Sequence, residues 1–417
     1  MTTKKTVSLR IAAFILTAVL FVGMLSGCSA VIEDPVVAKV GSVKVNLSQY
    51  YSLYSSYAAY APYMGYDTST PEGLMDFQDW VLEQTISNAV LIYEAKEQGI
   101  ELTEEDMQEA QKDADEAFAS ALKQYETMIP SSITDEIEKQ NAELELFTED
   151  LKTTGYTVES YKAQLLENAI DNMRAEKLIE NVKAGASVTD EEVEKHYNDK
   201  LEEQKKNYEE TPAKYYEDYT YYLNYGVESG YLKPNYIPEG YIRVKHIYIP
   251  YASEDDKTTD TEGTSTKKTE QEARDLIETI QGKLAEGADF DALIEEYGED
   301  TGMETEPFKT EGYLVHESII DKYFEGWAEA ALALSEVGDY SEPFDTTDSN
   351  GGKGIHIIKL IEKVESTEIS FDDAKEDIHA FLLKQAEDKL YSETLAGWVE
   401  NAPIKRYTSR IRYVGLS

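Results

Sequence analysis

The chain has 417 residues, of which 82 are acidic and 39 basic, giving a formal charge of −43 at neutral pH. So acidic a protein repels nucleic acid and anionic lipid headgroups, which attract basic partners. A hydrophobic share of 41% supplies real cores and excludes a disordered acidic tail, while a single cysteine, Cys28, excludes a disulfide framework.

Lys4, Lys5 and Arg10 form a cationic start, followed by an apolar run from Ile11 to Leu25 and the small residues Ser26 and Gly27 ahead of Cys28. This order reads as a secretory signal. The run is shorter than the ~20 residues a comfortable membrane-spanning helix needs. Leu25-Ser26-Gly27-Cys28 resembles a bacterial lipobox. The resemblance implies lipidation of Cys28, which becomes the mature N-terminus after residues 1–27 are removed. A signal anchor, or a cleaved signal followed by an incidental cysteine, is the alternative. Two acyl chains on Cys28 would suffice for stable attachment at the outer face of the cell membrane. Cleavage removes three positive charges and no acid, leaving −46. About 390 residues remain, enough for two or three domains.

Residues 28–35 read as a tether. Val36 to Val45 alternates around Gly41-Ser42 and predicts a small hairpin. Helical character follows to about residue 205. Trp80, Val81, Ile86, Val90, Leu91 and Tyr93 share one face, Gly99 closes that helix, and Thr103-Glu104-Glu105-Asp106 and Thr189-Asp190-Glu191-Glu192 carry start signals. Residues 206–240, rich in Tyr, Pro and Gly, read as an irregular connection. The composition changes at Tyr241. A strand is predicted from Ile242 to Pro250, then a solvated loop over 252–270. Helices follow at about 271–285, 290–297 and 319–334, and a strand from Gly354 to Leu360 returns. The amphipathic helix beginning at Ser370-Phe371 needs a partner, and the N-terminal helical region is the available one. The expected fold class is α+β, a helical chaperone domain formed by the N- and C-terminal segments (36–240 and 366–417) with an inserted α+β domain at 241–365.

No histidine pair has metal-ligand spacing, and no phosphate loop or activated nucleophile is evident, so no metal or cofactor is called for. His246 and His356 stand out because each interrupts an apolar strand. A buried histidine satisfied by a neighbour is the commoner explanation of such a residue.

A series of landmarks in order gives these histidines another meaning. They are Val244-Lys245-His246-Ile247, Leu284-Ala285-Glu286-Gly287-Ala288-Asp289-Phe290, Tyr297-Gly298-Glu299-Asp300, Trp327-Ala328-Glu329-Ala330-Ala331-Leu332, Val337-Gly338-Asp339-Tyr340-Ser341-Glu342-Pro343 and Gly354-Ile355-His356-Ile357-Ile358. Together they resemble a parvulin-type peptidyl-prolyl isomerase domain. The resemblance implies that His246 and His356 face each other under the active site with Asp300 beside them, and that Tyr323, Trp327 and Leu332 line the proline pocket. The family's Gly-Gly-Asp-Leu-Gly stretch is replaced by 305–314, where only Gly312 and Leu314 echo it. The 252–270 loop has no arginine, which argues against phosphorylated substrates.

The whole layout is similar to the PrsA/SurA foldases. That resemblance implies an enzyme with unfolded or partly folded secreted polypeptides as partners, isomerising X-Pro bonds outside the cytoplasm. Nucleic acid is not expected as a partner, and a homodimer is left open. The alternative is a non-catalytic holdase whose parvulin-like domain is scaffold. A solute-binding lipoprotein would call for α/β lobes, against which the long helices argue. Two tyrosine clusters, Tyr50 to Tyr66 and Tyr215 to Tyr225, are candidates for a client-binding surface or for ordinary core.

Overall fold

The structure, a computed structural model, describes residues 34–252, 268–347 and 351–416. Cys28, the signal and most of the 252–270 loop lie outside the described residues. The chain divides into two compact units, residues 1–187 with 385–417, and residues 188–384.

In the first unit, β1 (Val36–Val40) and β2 (Val43–Asn46) form the expected hairpin about Gly41-Ser42. A C-terminal strand joins the other edge of β1, pairing Ala38 with Arg406 and Val40 with Ile404, so both chain ends share one antiparallel sheet. Helices α1 (Leu47–Ala58) and α2 (Pro71–Glu97) cover it. Val37, Val40, Tyr50, Phe77, Val81 and Ile86 form the centre of this core, and Ile411 and Val414 close it from the C-terminus. Arg406 grips Glu83 with two hydrogen bonds of 2.7 Å, and Arg412 reaches Asp79 at 2.6 Å. Helices α3 (Glu104–Lys123), α4 (Glu136–Thr154) and α5 (Val158–Lys183) build a second cluster around Phe147 and Tyr161. The start signal at Thr103 works as read: its hydroxyl accepts from Asp106 N–H while the Asp106 carboxylate accepts from Thr103 N–H.

The second unit opens with α6 (Asp190–Glu210), capped by Thr189 and Glu192, and α7 (Ala213–Tyr225). The expectation of an irregular connection over 206–240 is therefore corrected. Composition there is turn-like, but Tyr215 and Tyr219 fall one helical turn apart and bury their rings together with Tyr208 of α6, and that packing overrides weak propensity. β3 (Tyr236–Ile237) leads into β4 (Ile242–Tyr251), and α8 (Glu270–Ala285) and α9 (Phe290–Tyr297) follow. Next come α10 (Phe308–Glu311) and β5 (Tyr313–Val315). The single helix expected over 319–334 is instead a 3-10 segment at Glu317–Lys322 and a short α11 (Trp327–Leu332). Its apolar residues serve two separate packing sites, and non-helical backbone at Ile319 and Gly326 breaks the run. β6 (Phe344–Thr347), β7 (Lys353–Lys363) and β8 (Thr367–Glu368) complete the sheets, before α12 (Phe371–Asn401) and β9 (Ile404–Arg406), the C-terminal strand on β1. Residues 371–384 of α12 lie in the second unit, with Phe371 edge-on to Tyr197, and residues 385–401 lie in the first.

The four-stranded antiparallel sheet has the order β5-β4-β7-β6. Alternation along β4 and β7 gives it two chemically distinct faces. Ile247, Ile249, Ile355 and Ile357 point to α8 and α9, where Ala273, Ile277, Ile280 and Phe290 meet them. Val244, Ile358 and Leu360 point to the opposite face and pack with Trp327, Ala328 and Ala331 of α11. The fold class is as expected, helical material from both chain ends together with a sheet-containing insert.

Ile411 is fully buried in the first core. Its replacement by Ala should cost about 2–4 kcal/mol in urea unfolding of that unit. A loss below about 0.5 kcal/mol would mean that the C-terminal segment does not help close this core.

Candidate active site

The β4–β7 register places Tyr248 opposite His356 and His246 opposite Ile358. His246 and His356 are thus diagonal neighbours on the α11 face, close enough for their rings to touch. Their centroids are 5.0 Å apart and the rings stand at 89°. Nε2 of His246 lies 2.9 Å from Oδ2 of Asp300, which follows α9. The structure therefore brings His246, Asp300 and His356 together.

Asp300 is the hub of this group. Its Oδ2 also accepts from the Tyr313 hydroxyl at 2.9 Å, and its Oδ1 accepts from the Gly302 amide at 3.1 Å. Burial is the strongest influence on its carboxyl and pushes the pKa up. The hydrogen bond and electrostatic pull of His246, with those of Gly302 and Tyr313, outweigh it and hold the value at about 2. Asp300 is thus ionised, and the His246 nitrogen facing it carries the proton and donates. Burial, then the charge of Asp300, raise the Tyr313 phenol, so it stays a donor. Gly302 lets Tyr313 approach, since a Cβ there would lie 1.9 Å from the Tyr313 hydroxyl oxygen.

His356 is fully buried. Tyr248 stacks on its ring at 4.5 Å and 26°, and Phe344 lies near-parallel at 5.8 Å. Burial first, and His246 second, push its pKa well below the usual histidine value, so the ring is neutral at physiological pH. Gly354 makes this stack possible, because a Cβ there would lie 2.1 Å from the Tyr248 ring.

Above the histidines lies a cavity of about 520 Å³ with His246, His356, Asp300, Tyr248, Tyr323 and Trp327 on its wall. That volume is within the ~300–1,000 Å³ common for small-molecule sites. Trp327 is buried, edge-on to His246 at 5.4 Å, and Tyr323 stacks on it at 4.8 Å and 24°. Leu332 does not line the cavity. It packs behind the wall in the apolar cluster of Val244, Val315 and Trp327. Tyr313, Tyr248, Phe324 and Phe308 line the cavity without having been singled out in the sequence. For Tyr248 the signal was available, because it shares the strand phase of His246. For Tyr313 it was not, because it lies in the stretch that departs from the family pattern. Among the described residues no group of His, Cys, Asp and Glu could hold a metal ion.

The description "SurA-like N-terminal domain" matches residues 2–126, and "PPIC-type PPIase domain" matches residues 246–362. Among relatives, a protein named foldase protein PrsA from Clostridium botulinum (strain Langeland) is 25% identical over 79% of this chain and 74% of its own. The protein of the same name from Clostridium acetobutylicum is 24% identical over 79% of this chain and 73% of its own. A solved structure of foldase protein PrsA from Streptococcus pneumoniae aligns over 92% of this chain and 100% of its own, at 17% identity and a TM-score of 0.24.

The depressed Asp300 pKa fixes a sign. Between about pH 4 and pH 2 the unfolded chain binds a proton that the folded chain refuses, so this contribution to stability is complete above pH 4 and fades toward pH 2. The stability gap between wild type and Asp300→Asn, followed by urea unfolding, should be constant from pH 7 to about 4.5 and shrink below that. A gap unchanged down to pH 2 would mean that Asp300 has an ordinary pKa. The chain thus carries a stretch that matches a SurA-like N-terminal domain and another that matches a PPIC-type peptidyl-prolyl isomerase domain.

Proposed function

We propose that this chain is a foldase that works outside the cytoplasm, isomerising X-Pro bonds of unfolded secreted polypeptides at the His246–Asp300–His356 site. The observation that carries this reading is the hydrogen-bonded His246–Asp300 pair packed against a neutral His356 beside a deep aromatic cavity.

An X-Pro bond rotates over a barrier of ~18–20 kcal/mol and takes tens to hundreds of seconds unaided. Rotation breaks no bond, so the site must only favour the twisted amide over the planar one. Three features of the chain serve that end. Trp327 and Tyr323 offer an apolar wall for the proline ring, and Leu332 supports it from behind. Removal from water favours the twisted amide, whose carbonyl has lost conjugation and is less polar. His246, with its Nε2 proton committed to Asp300, is fixed in orientation and cannot swing into competing contacts. Asp300 and His356 act through His246 as positioning residues. Tyr313 belongs with them because it shares the same carboxylate oxygen.

The same reading attaches the chain to the outer face of the membrane through a lipidated Cys28. Its support is the Leu25-Ser26-Gly27-Cys28 pattern. Among the described residues no helix is long and apolar enough to cross a membrane. A homodimer is compatible with two lipid-held copies in one membrane plane, and sedimentation of the chain lacking residues 1–28 decides between it and a monomer.

Exchange spectroscopy on a short X-Pro peptide tests the catalytic part. The mature soluble protein should accelerate isomerisation, and His246→Ala should lose at least about tenfold of that acceleration. Because no proton moves in the slow step, rates in H2O and D2O should agree. A folded wild type without acceleration would leave a holdase with a scaffold domain, and a large solvent isotope effect would replace the orienting role of His246 with proton transfer.

A further inference from the structure

Helix α7 lies outside both matched stretches, which end at residue 126 and begin again at residue 246. It nevertheless lines the isomerase cavity. Tyr216, Tyr219, Thr220, Leu223 and Asn224 face the same space as His246, His356 and Trp327. Their spacing is i, i+3, i+4, i+7 and i+8, one continuous face of a helix.

The helix is fixed to the isomerase domain. The Tyr241 hydroxyl, at the entry to β4, donates to the Pro212 carbonyl at 2.7 Å, and the rings of Tyr241 and Tyr215 meet edge-on at 5.1 Å. One turn on, the Tyr219 hydroxyl donates to Glu311 at 3.3 Å, and Glu311 is held by Arg243 of β4 at 2.9 Å. Tyr216 meets Tyr323, the ring stacked on Trp327, at 6.3 Å and 61°. Tyr215 and Tyr219 are buried as anchors, whereas Tyr216 and Leu223 are only partly buried and present surface to the cavity. On the other side of α7, Tyr221 and Tyr225 lie against Tyr231 with centroids 5.3–6.1 Å apart, exposed to solvent and away from the cavity.

We propose that α7 is a second wall of the substrate groove, and that Tyr216 and Leu223 read the residue next to the proline, selecting large apolar and aromatic side chains. The inference rests on the isomerase reading above and adds a determinant to it. A cavity of about 520 Å³ has more room than a proline ring fills, and α7 supplies part of its wall. On α7 the Tyr216 ring and Leu223 stand beside the polar Thr220 and Asn224, with no charge among them. Lys322 elsewhere on the cavity wall is set against the carboxylates of Asp300 and Glu306, so an acidic neighbour to proline is desolvated at a cost and meets two like charges. Segments with a bulky apolar residue beside proline are buried in folded proteins and exposed in unfolded ones, which makes such a preference useful to a foldase.

The test compares kcat/KM of the mature chain for four peptides that differ only in the residue before proline, Phe, Leu, Ala and Glu, with exchange rates read by NMR. Wild type should favour Phe and Leu over Ala by about tenfold, and disfavour Glu further. Tyr216→Ala and Leu223→Ala should bring the Phe/Ala ratio to within about twofold, chiefly through KM, and Tyr216→Phe should restore it. The wild-type preference requires no variant to fold. Equal acceleration of all four peptides by wild type overturns the α7 wall alone. Folded variants that keep the wild-type ratio also overturn it. Acceleration of none of the peptides overturns the isomerase reading, and the wall with it.

Discussion

The site depends on one constraint, the register of β4 against β7. Successive residues of a strand point to opposite faces, so the pairing of Tyr248 with His356 decides which side chains meet. In this register His246, Tyr248 and His356 gather on the face of α11, and Ile247, Ile249, Ile355 and Ile357 gather under α8 and α9. A slip of one residue would send the isoleucines into the aromatic cavity and the histidines into the apolar layer. The isoleucine core thus does functional work at a distance, because its burial holds the register that assembles the site.

Within that frame the polar groups are few and interlocked. Asp300 takes hydrogen bonds from His246, Tyr313 and Gly302, and these outweigh the upward push of burial on its pKa. His356 has no charge to offer at physiological pH and serves as a flat ring between Tyr248 and Phe344. Such a site is closely interlocked and rich in aromatic rings, which suits a reaction whose transition state is a twisted amide. It suits proton shuttling poorly, since each polar hydrogen of the Asp300 group is already committed. The two close approaches, at Gly302 and Gly354, show how tightly this geometry is fitted.

Much of this was legible in the residues. The strands at 242 and 354 followed from alternation, a local pattern, whereas the trio His246, Asp300 and His356 was what the family resemblance carried by the ordered landmarks implied. Trp327 and Tyr323 stand on the cavity wall. Leu332 differs, standing behind the wall because α11 ends with it and turns it toward the apolar cluster. Tyr313 was not legible, because its value comes from meeting Asp300, thirteen residues away, across a stretch that departs from the family pattern. Helix α7 was hidden for a different reason. Its tyrosines read as turn and loop composition, and only tertiary packing of Tyr215 and Tyr219, against Tyr208 of α6 among others, makes them a helix. The tyrosine clusters divide in the same way: Tyr50, Tyr54, Tyr215 and Tyr219 are core, whereas Tyr51, Tyr60, Tyr63, Tyr221 and Tyr225 are open to solvent.

A foldase that only shields its clients and one that also turns their prolines differ in a single kinetic observable. The decisive measurement is the refolding of a small protein whose slow phase is limited by one X-Pro bond, in the presence of catalytic amounts of the mature chain. The account predicts that the slow phase shortens with wild type and returns to its unaided rate with His246→Ala, while both proteins suppress aggregation alike. A slow phase unchanged by folded wild type, with aggregation still suppressed, would contradict it.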